Sequence, residues 1–429
     1  MKALLQKKLF SRFGAALFDQ MILAAANFAV AILLIKTVTK EAFGLYAVIF
    51  PISLFLISLQ NALINSPMTV LLTEKNDADR EKYLAGLFWG QVRSITPIMG
   101  VAALILALLM ILGAPQDIVY AGLSVCAAAI GLLLREFLRA LYFAEEKPGK
   151  VLRMDVIYLT LFFGLLFGLH QTLGVSVPGV FGAMGLSALL VTVFEAGRLS
   201  WLRQKGDFRR GFLENWGHGR WALLGVCVTH VQSYSFLYLI GAMLGSVIVA
   251  DIAAARVLMR PVALINAGWG KVATPRGARL RQEGKIRKLF REQIGVTAMI
   301  VAGIVVYTLL VLAAESVLLT NVLSDKYAEA FQYIPLLGLI AMFSFVSLNA
   351  SYALRACKRF DVVSKAGVVT MTLTIVLSLI LIPILGAKGA LVALLAGELA
   401  LSAGLWRALA RETQTVQKQD SSQMLYQVG

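Results

Sequence analysis

Long apolar runs alternate with short polar segments along almost the whole chain. Each run is about 20 residues long, the length at which a helix crosses a hydrocarbon core of roughly 30 Å. A bilayer interior holds no water to satisfy an open backbone, so each run is predicted to be a helix. Twelve spans are predicted, at 14–35, 43–65, 86–112, 117–139, 154–173, 177–198, 221–244, 248–270, 294–320, 333–354, 364–385 and 387–406.

Composition supports a membrane protein. Of the 429 residues, 59% are hydrophobic and 15% are charged, whereas soluble domains have about 45–50% apolar and 25% charged residues. The first run begins near Gly14, is too long for the core of a signal peptide and precedes no small-residue cleavage site. It is therefore predicted to be a retained first helix.

Basic residues are concentrated in alternate loops. One set of loops holds only four of them, Lys36, Lys40, Lys326 and Lys388. The other set holds Lys2, Lys7, Lys8, Arg12, Lys75, Arg80, Lys82, Lys147, Lys150, Arg153, Arg203, Lys205, Arg209, Arg210, eight basic residues from Lys271 to Arg291, Lys358, Arg359, Lys365, Arg411 and Lys418.

This alternation predicts the orientation, because cytoplasmic loops retain Lys and Arg. An even number of spans in a bacterial inner membrane, with both termini in the cytoplasm, is expected. The six tryptophans, including Trp89, Trp221 and Trp406, fall at cytoplasmic helix ends or loops, as interfacial anchors do. The net charge of +16 is explained by orientation and attraction to anionic membrane lipids, about 1 kcal/mol per cation. No motif for binding nucleic acid is present.

The chain is predicted to have two halves. A polar cytoplasmic linker at 199–220 separates six-helix lobes at 1–198 and 221–406, and a cytoplasmic tail follows at 407–429. The halves resemble each other weakly: the second predicted span ends at Ser66-Pro67 and the eighth is followed by Thr274-Pro275. Six spans per half give parallel repeats with a pseudo-twofold axis along the membrane normal, the layout of a rocking transporter.

Charged residues inside spans are the candidate site residues, since each costs about 2.5–3.5 kcal/mol to insert and so marks a pathway. An arginine fork holds phosphate oxygens with two parallel hydrogen bonds, so arginines favour a substrate that carries phosphate. Pro261 is expected to kink the eighth span. The candidate arginines inside spans are Arg93, Arg135, Arg139, Arg256 and Arg260.

Alternatives remain for three of these arginines. Arg93, Arg135 and Arg139 lie near cytoplasmic ends, where long basic side chains extend to the interface, and they can also pair with Glu136 or Asp155.

Three carboxylates are candidates for ion coupling, by a proton or by sodium: Asp19, Asp251 and Glu398. Glu398 is the acid expected to be buried. His230 is interpreted as a hydrogen-bonded packing residue. The three cysteines form neither a disulfide framework nor a metal cluster, and no metal or cofactor is predicted.

Three stretches carry a family resemblance. They are Leu134-Arg135-Glu136-Phe137-Leu138-Arg139, followed by Pro148 and Asp155; Leu354-Arg355-Ala356-Cys357-Lys358-Arg359, followed by Leu381 to Ala390; and Phe43-Gly44-Leu45-Tyr46. The chain resembles the polysaccharide-transporter branch of the multidrug/oligosaccharidyl-lipid/polysaccharide (MOP) exporter superfamily, which includes Wzx-type O-antigen flippases. The resemblance implies two six-helix lobes around a cavity and alternating access. It also implies an undecaprenyl-diphosphate-linked oligosaccharide as cargo, with Arg135, Arg139 and Arg355 at family-like positions.

A flippase for such a lipid-linked oligosaccharide is the predicted function, in O-antigen, capsule or exopolysaccharide biosynthesis, beside glycosyltransferases and a polymerase of the same pathway. One alternative is an ion-coupled multidrug exporter of the same superfamily, although the excess of arginine inside spans disfavours binding of cationic drugs. Another is a membrane-embedded polysaccharide polymerase or ligase. The short external loops and the absence of a Walker motif, a G-x-S-x-G elbow or a pair of catalytic carboxylates disfavour an enzyme.

Overall fold

The structure is a computed structural model that describes residues 2–428, with side chains described at 14, 18–220, 222–266, 268–270 and 272–414. All regular elements in these ranges are helices, and no strand occurs there. The α-helices are α1 (Lys2–Thr37), α2 (Lys40–Gln60), α3 (Ser66–Leu71), α4 (Asp77–Ile111), α5 (Gln116–Ala144), α6 (Pro148–Thr172), α7 (Val177–Ala196), α8 (Phe208–Leu244), α9 (Ser246–Leu258), α10 (Arg260–Gln282), α11 (Ile286–Ala313), α12 (Glu315–Leu318), α13 (Ile334–Ala356), α14 (Phe360–Leu385) and α15 (Ala387–Val428).

Short polar loops start several of these helices by capping. The side chains of Thr39, Asn76 and Ser176 accept hydrogen bonds from backbone N–H groups three residues later, at 3.3, 3.0 and 3.2 Å. Each cap satisfies a donor that the first helical turn leaves unpaired. These residues fix the starts of α2, α4 and α7 just after polar turns.

Eleven helical segments within the described residues are long and apolar enough to cross a membrane. They are Phe18–Thr37, Lys40–Glu74, Asp77–Ile111, Gln116–Ala144, Pro148–Thr172, Val177–Ala196, Ala222–Leu244, Ile286–Ala313, Asp325–Ala356, Phe360–Leu385 and Ala387–Gln414. The C-terminal half of α4 carries exposed apolar side chains. Leu104 is 70% exposed and Ile111 is 81% exposed. Such a surface is suited to lipid rather than water. The predicted all-α polytopic membrane fold is confirmed.

The eighth predicted span is interrupted. Helix α9 ends at Leu258 and α10 begins at Arg260, with Met259 between them. Pro261 has no N–H to continue the ladder, and its ring disfavours a helical carbonyl four residues earlier. The prediction of one continuous helix over 248–270 is wrong, whereas the predicted disruption at Pro261 is confirmed. Helices α9 and α10 together occupy this predicted span, and neither is among the eleven membrane-length segments of the described residues.

The chain divides into two compact units, Met1–Cys227 and Val228–Gly429, and the division falls within α8. In the first unit α5 packs closely on α7, because Gly131 and Gly185 have no side chains to separate the helices. A Cβ added to Gly131 would overlap the Gly185 carbonyl oxygen, and one added to Gly185 would overlap Ala128. Small residues commonly permit such close approach between membrane helices.

The segment predicted as a linker is bound to the first unit. Asn215, near the start of α8, donates to the Ile64 carbonyl oxygen at 3.2 Å, and the Tyr83 hydroxyl donates to its side-chain oxygen. Ile64 belongs to a π-helical turn, Asn61–Asn65. Lys75 also pairs with Glu214 at 2.7 Å. The division into lobes at 1–198 and 221–406 stays a prediction.

In the second unit, α13 contacts several other helices. The buried Asn349 accepts a hydrogen bond from the Trp269 indole at 2.7 Å. Its amide donates to the Gln293 carbonyl oxygen at 3.0 Å and to the Thr297 hydroxyl at 2.7 Å. One side chain therefore joins α10, α11 and α13. On another face of α13, Ala350, Leu354, Leu405 and Leu409 form an apolar cluster with α15.

The orientation of the chain in the membrane stays a prediction. Several residues used for it lie outside the described side chains, namely Lys2, Lys7, Lys8, Arg12, Trp221, Lys271 and Lys418. The distal part of the predicted tail, from residue 415, also lies outside them.

Candidate functional site

A buried cluster of charges joins three helices of the first unit. It contains Asp19 from α1, Arg135, Glu136 and Arg139 from α5, and Asp155 from α6. Arg135 and Arg139 are 5% and 7% exposed, and Asp19 and Asp155 are 0% exposed. Arginines four residues apart lie on one face of a helix, so both guanidinium groups of α5 reach the same carboxylate, Asp155.

Arg139 is the centre of the cluster. Its guanidinium donates to Asp155 at 2.7 Å, to Asp19 at 2.9 Å and to both oxygens of Glu136 at 2.8 and 2.9 Å. Arg135 donates to the other oxygen of Asp155, and its guanidinium carbon lies 3.8 Å from the ring centroid of Tyr158. The possibility that these arginines pair with Glu136 and Asp155 is confirmed.

The ion pairs give the first cluster a structural role. Three carboxylates face two guanidinium groups, and a buried pair whose partner is removed destabilises a protein by about 3–5 kcal/mol. The cluster therefore stabilises the packing of α1, α5 and α6. The predicted substrate-binding role of Arg135 and Arg139, and the predicted ion-coupling role of Asp19, stay predictions.

Two further candidate arginines, Arg93 and Arg355, do not belong to this cluster. Arg93 on α4 is exposed, and Arg355 near the end of α13 is exposed as well. Neither side chain takes part in an ion pair with a described residue. Their predicted contacts with substrate also stay predictions.

Arg256 has a different environment from the arginines of the first unit. It lies in the last turn of α9 and is half-buried. Its guanidinium carbon lies 5.6 Å from the ring centroid of Tyr234 and 5.4 Å from that of Phe236, both on α8. No described carboxylate forms an ion pair with it. The aromatic faces provide partial stabilisation of the cation and leave its hydrogen-bond donors available to a ligand.

Arg260 and Asp251 lie near Arg256 along the chain. Arg260 begins α10, is half-buried and is close enough to Arg256 for the two charges to interact. Asp251, in the second turn of α9, is 2% exposed. Arg256 and Arg260 therefore lie on the two sides of the break between α9 and α10. Their four-residue spacing predicts that the two positive charges are close together.

Glu398 lies on α15, faces α13 and is half-buried. Asp19 and Asp251 are 0% and 2% exposed, so the expectation that Glu398 is the buried acid of the three is wrong, because helix packing encloses the other two instead. The hydroxyl of Ser347 lies 3.0 Å from its Oε2 and can donate to it. Glu398 forms no ion pair with a described cation. An acid held by a hydroxyl in a spanning helix can exchange between charged and protonated states, which is the property an ion-coupling residue needs. That role stays a prediction.

Two tyrosines of α8, of which Tyr234 lies beside Arg256, were not among the candidate residues. Tyr234 and Tyr238 follow His230 on α8 at intervals of four, and the His230 Nε2 and Tyr238 hydroxyl oxygen lie 3.0 Å apart. The interpretation of His230 as a hydrogen-bonded residue is confirmed. The four-residue spacing of these aromatic residues is the sequence signal that places them on one face of α8.

Among the described residues, no group of three or more His, Cys, Asp or Glu side chains is placed to hold a metal.

Solved structures of membrane transporters have a similar fold. An inward-facing multidrug-resistance MATE-family transporter of the MOP superfamily gives a TM-score of 0.73 at 14% identity, over 92% of this chain and 95% of that one. The lipid II flippase MurJ, in an inward closed conformation, gives 0.72 at 13% identity, over 94% and 89%. A MOP-superfamily transporter from Pyrococcus furiosus gives 0.62 at 12% identity, over 96% and 95%.

These comparisons define the class of fold. The chain has the fold of these transporters, and membership of the superfamily stays a prediction. The polysaccharide-transporter branch stays a prediction. No family model matches the chain, and no curated protein matches it in sequence.

Proposed function

We propose that this protein is a transporter that moves a lipid-linked oligosaccharide with a diphosphate headgroup across the bacterial inner membrane by alternating access. The observation that carries the proposal is the Arg256 guanidinium, which lies within the predicted eighth span and has aromatic neighbours but no described carboxylate partner. A cation inside the membrane is costly, so one without a carboxylate partner indicates a site for an anionic ligand.

The chemistry of arginine favours phosphate as that ligand. A guanidinium presents donors in a planar fork that matches two phosphate oxygens, and it stays charged over the whole physiological pH range. Arg260 adds a second positive charge close by, as a diphosphate with more than one negative charge requires. The undecaprenyl chain and the glycan come from the family resemblance, and glycosyltransferases and a polymerase would be partners in the same pathway.

Coupling to an ion gradient is the second part of the proposal. Glu398, Asp251 and Asp19 are the candidate carboxylates, with Glu398 preferred because its described contact is a hydroxyl rather than a cation. Proton and sodium are the two candidate ions. Arg93, Arg135, Arg139 and Arg355 would contribute to headgroup binding only secondarily, because the first and last are exposed and the other two are ion-paired.

Complementation tests the proposal. In a host that lacks this protein and makes a surface polysaccharide dependent on it, Arg256→Gln and Arg260→Gln should abolish surface polysaccharide at normal levels of folded protein. The matched control is Arg287→Gln, which removes an exposed arginine at the start of α11. Normal polysaccharide in both single variants and in the double variant would eliminate these arginines from the mechanism.

An exporter of cationic small molecules is the second candidate. The TM-scores to the MATE-family transporter and to the lipid II flippase are 0.73 and 0.72, so fold similarity does not separate the two. The specific observation in its favour is the first unit's cluster, where carboxylates outnumber guanidinium groups. Broad loss of resistance to cationic drugs in a deletion strain with intact polysaccharide would favour the exporter.

A further inference from the structure

A row of ring side chains lies on α8 in the second unit. His230, Tyr234 and Tyr238 are spaced by four residues, which places them one above another on one helix face. The ring centroids of His230 and Tyr234 are 4.9 Å apart, and those of His230 and Tyr238 are 6.0 Å apart. The hydrogen bond between His230 and Tyr238 holds the two ends of the row together.

This face of α8 is polar and accessible. All three ring residues are half-buried rather than enclosed, and so are Ser233 and Ser235 at the edges of this face. Elsewhere in the same unit, spanning helices expose large aliphatic side chains, such as Leu379 at 49% and Ile380 at 54%. Polar side chains in a spanning helix usually face an aqueous path or a ligand, because lipid cannot satisfy their hydrogen bonds.

Arg256 connects this row to the proposed anion site. Its guanidinium carbon is 5.6 Å from the Tyr234 ring centroid, within the range of a cation–π contact. A ligand whose phosphate is bound by Arg256 would therefore have its adjoining groups next to Tyr234. In a lipid diphosphate that carries a glycan, the group attached to the diphosphate is the first sugar.

We infer that the row formed by His230, Tyr234 and Tyr238 binds the sugar attached to the diphosphate, while Arg256 binds the diphosphate. This inference rests on the proposed function and assigns specificity within it. A pyranose has an apolar face of C–H groups that packs against a tyrosine ring, and its hydroxyls exchange hydrogen bonds with phenol and imidazole groups. The row offers both kinds of contact.

The test compares two lipids on one protein. Purified full-length protein in lipid nanodiscs is titrated with undecaprenyl diphosphate, and then with a panel of the same lipid carrying one hexose or one N-acetylhexosamine. The wild-type protein should bind at least one sugar-bearing lipid more tightly than the bare lipid. Tyr234→Leu and Tyr238→Leu should weaken binding of that lipid about tenfold and leave binding of the bare lipid unchanged. Arg256→Gln should weaken binding of both lipids.

Matched variants separate ring contacts from loss of structure. Tyr234→Phe keeps the ring and should retain most of the sugar contribution, whereas His230→Gln should reduce it by removing the ring. Tyr120→Leu, at an exposed tyrosine of the first unit, should change neither affinity. A variant is used in the comparison only if its unfolding midpoint equals that of the wild-type protein. Where a Leu variant does not fold, the corresponding Phe variant replaces it.

Two different failures are distinguishable. If the wild-type protein binds the bare and sugar-bearing lipids equally, or if the tyrosine variants weaken both equally or neither, the sugar-binding inference is overturned and the diphosphate site is retained. If the wild-type protein shows saturable binding of neither lipid, the proposed function itself fails, and the inference fails with it.

Discussion

The arginines of the two units have the same spacing but different partners. In the first unit, Arg135 and Arg139 are almost fully buried and donate to Asp19, Glu136 and Asp155. In the second unit, Arg256 lies beside Tyr234 and Phe236 and has no ion pair with a described carboxylate. The comparison shows that arginines with the same spacing can have carboxylate or aromatic neighbours, and these neighbours distinguish an ion-paired residue from a candidate ligand-binding residue.

Removal of Arg139 should have the largest effect on stability. Arg139→Gln leaves the buried Asp19 without its arginine, while Asp155 keeps only Arg135, and a broken buried ion pair costs about 3–5 kcal/mol. We expect a marked drop in the denaturation midpoint of the purified protein. Tryptophan fluorescence in detergent measures this midpoint.

A double variant provides the control for Arg139. Arg139→Gln combined with Asp19→Asn removes one charge of each sign and keeps the Arg135–Asp155 pair, so it should recover part of the stability lost in the single variant. A single variant with a wild-type midpoint would mean that the buried ion pairs contribute little, and the contrast between the two units would lose its basis.

Arg256→Gln should leave stability unchanged and weaken ligand binding. The variant should fold as well as the wild-type protein, because no described carboxylate loses a partner. Loss of charge-assisted hydrogen bonds worth about 1.5–3 kcal/mol should weaken binding of a lipid diphosphate by about 10- to 100-fold. Titration of undecaprenyl diphosphate with the purified variant measures this. A variant that unfolds easily yet binds the lipid normally would reverse the assignment.

Much of this fold was predictable because apolar runs of membrane length specify helices whatever their partners are. The disruption at Pro261 was predictable from the missing N–H alone, and the pairing of Arg139 with Glu136 from their spacing on one helix. The contact of Arg139 with Asp19 joins residues 120 positions apart. Only tertiary packing brings them together, as it does for Trp269 and Asn349. The π-helical turn at Asn61–Asn65 contains no proline or glycine, and the following Pro67 does not by itself specify a π turn.

Glu398→Gln should have a smaller effect on stability and a specific effect on coupling. The amide can still accept the Ser347 hydrogen bond, so the stability change should stay near or below about 1 kcal/mol. If Glu398 binds the coupling ion, transport by the variant in proteoliposomes should no longer respond to an imposed proton or sodium gradient. Asp251→Asn and Asp19→Asn, tested in parallel, identify the carboxylate if the response persists in Glu398→Gln.

The smallest effect is expected at an arginine of the first unit that is paired but accessible. Arg153 donates to the buried Glu195 at 3.0 Å, and its own side chain is 49% exposed. Arg153→Gln should cost less than about 1 kcal/mol, because solvent screens the pair and Glu195 keeps the Tyr142 hydroxyl at 2.8 Å and Arg198 at 3.5 Å. The double variant with Arg198→Gln should cost more than the two single variants combined, since Glu195 then has no arginine partner. Denaturation midpoints of the four proteins decide the matter. A loss in Arg153→Gln as large as that in Arg139→Gln would show that burial of the acid alone, and not burial of both partners, sets the strength of these pairs.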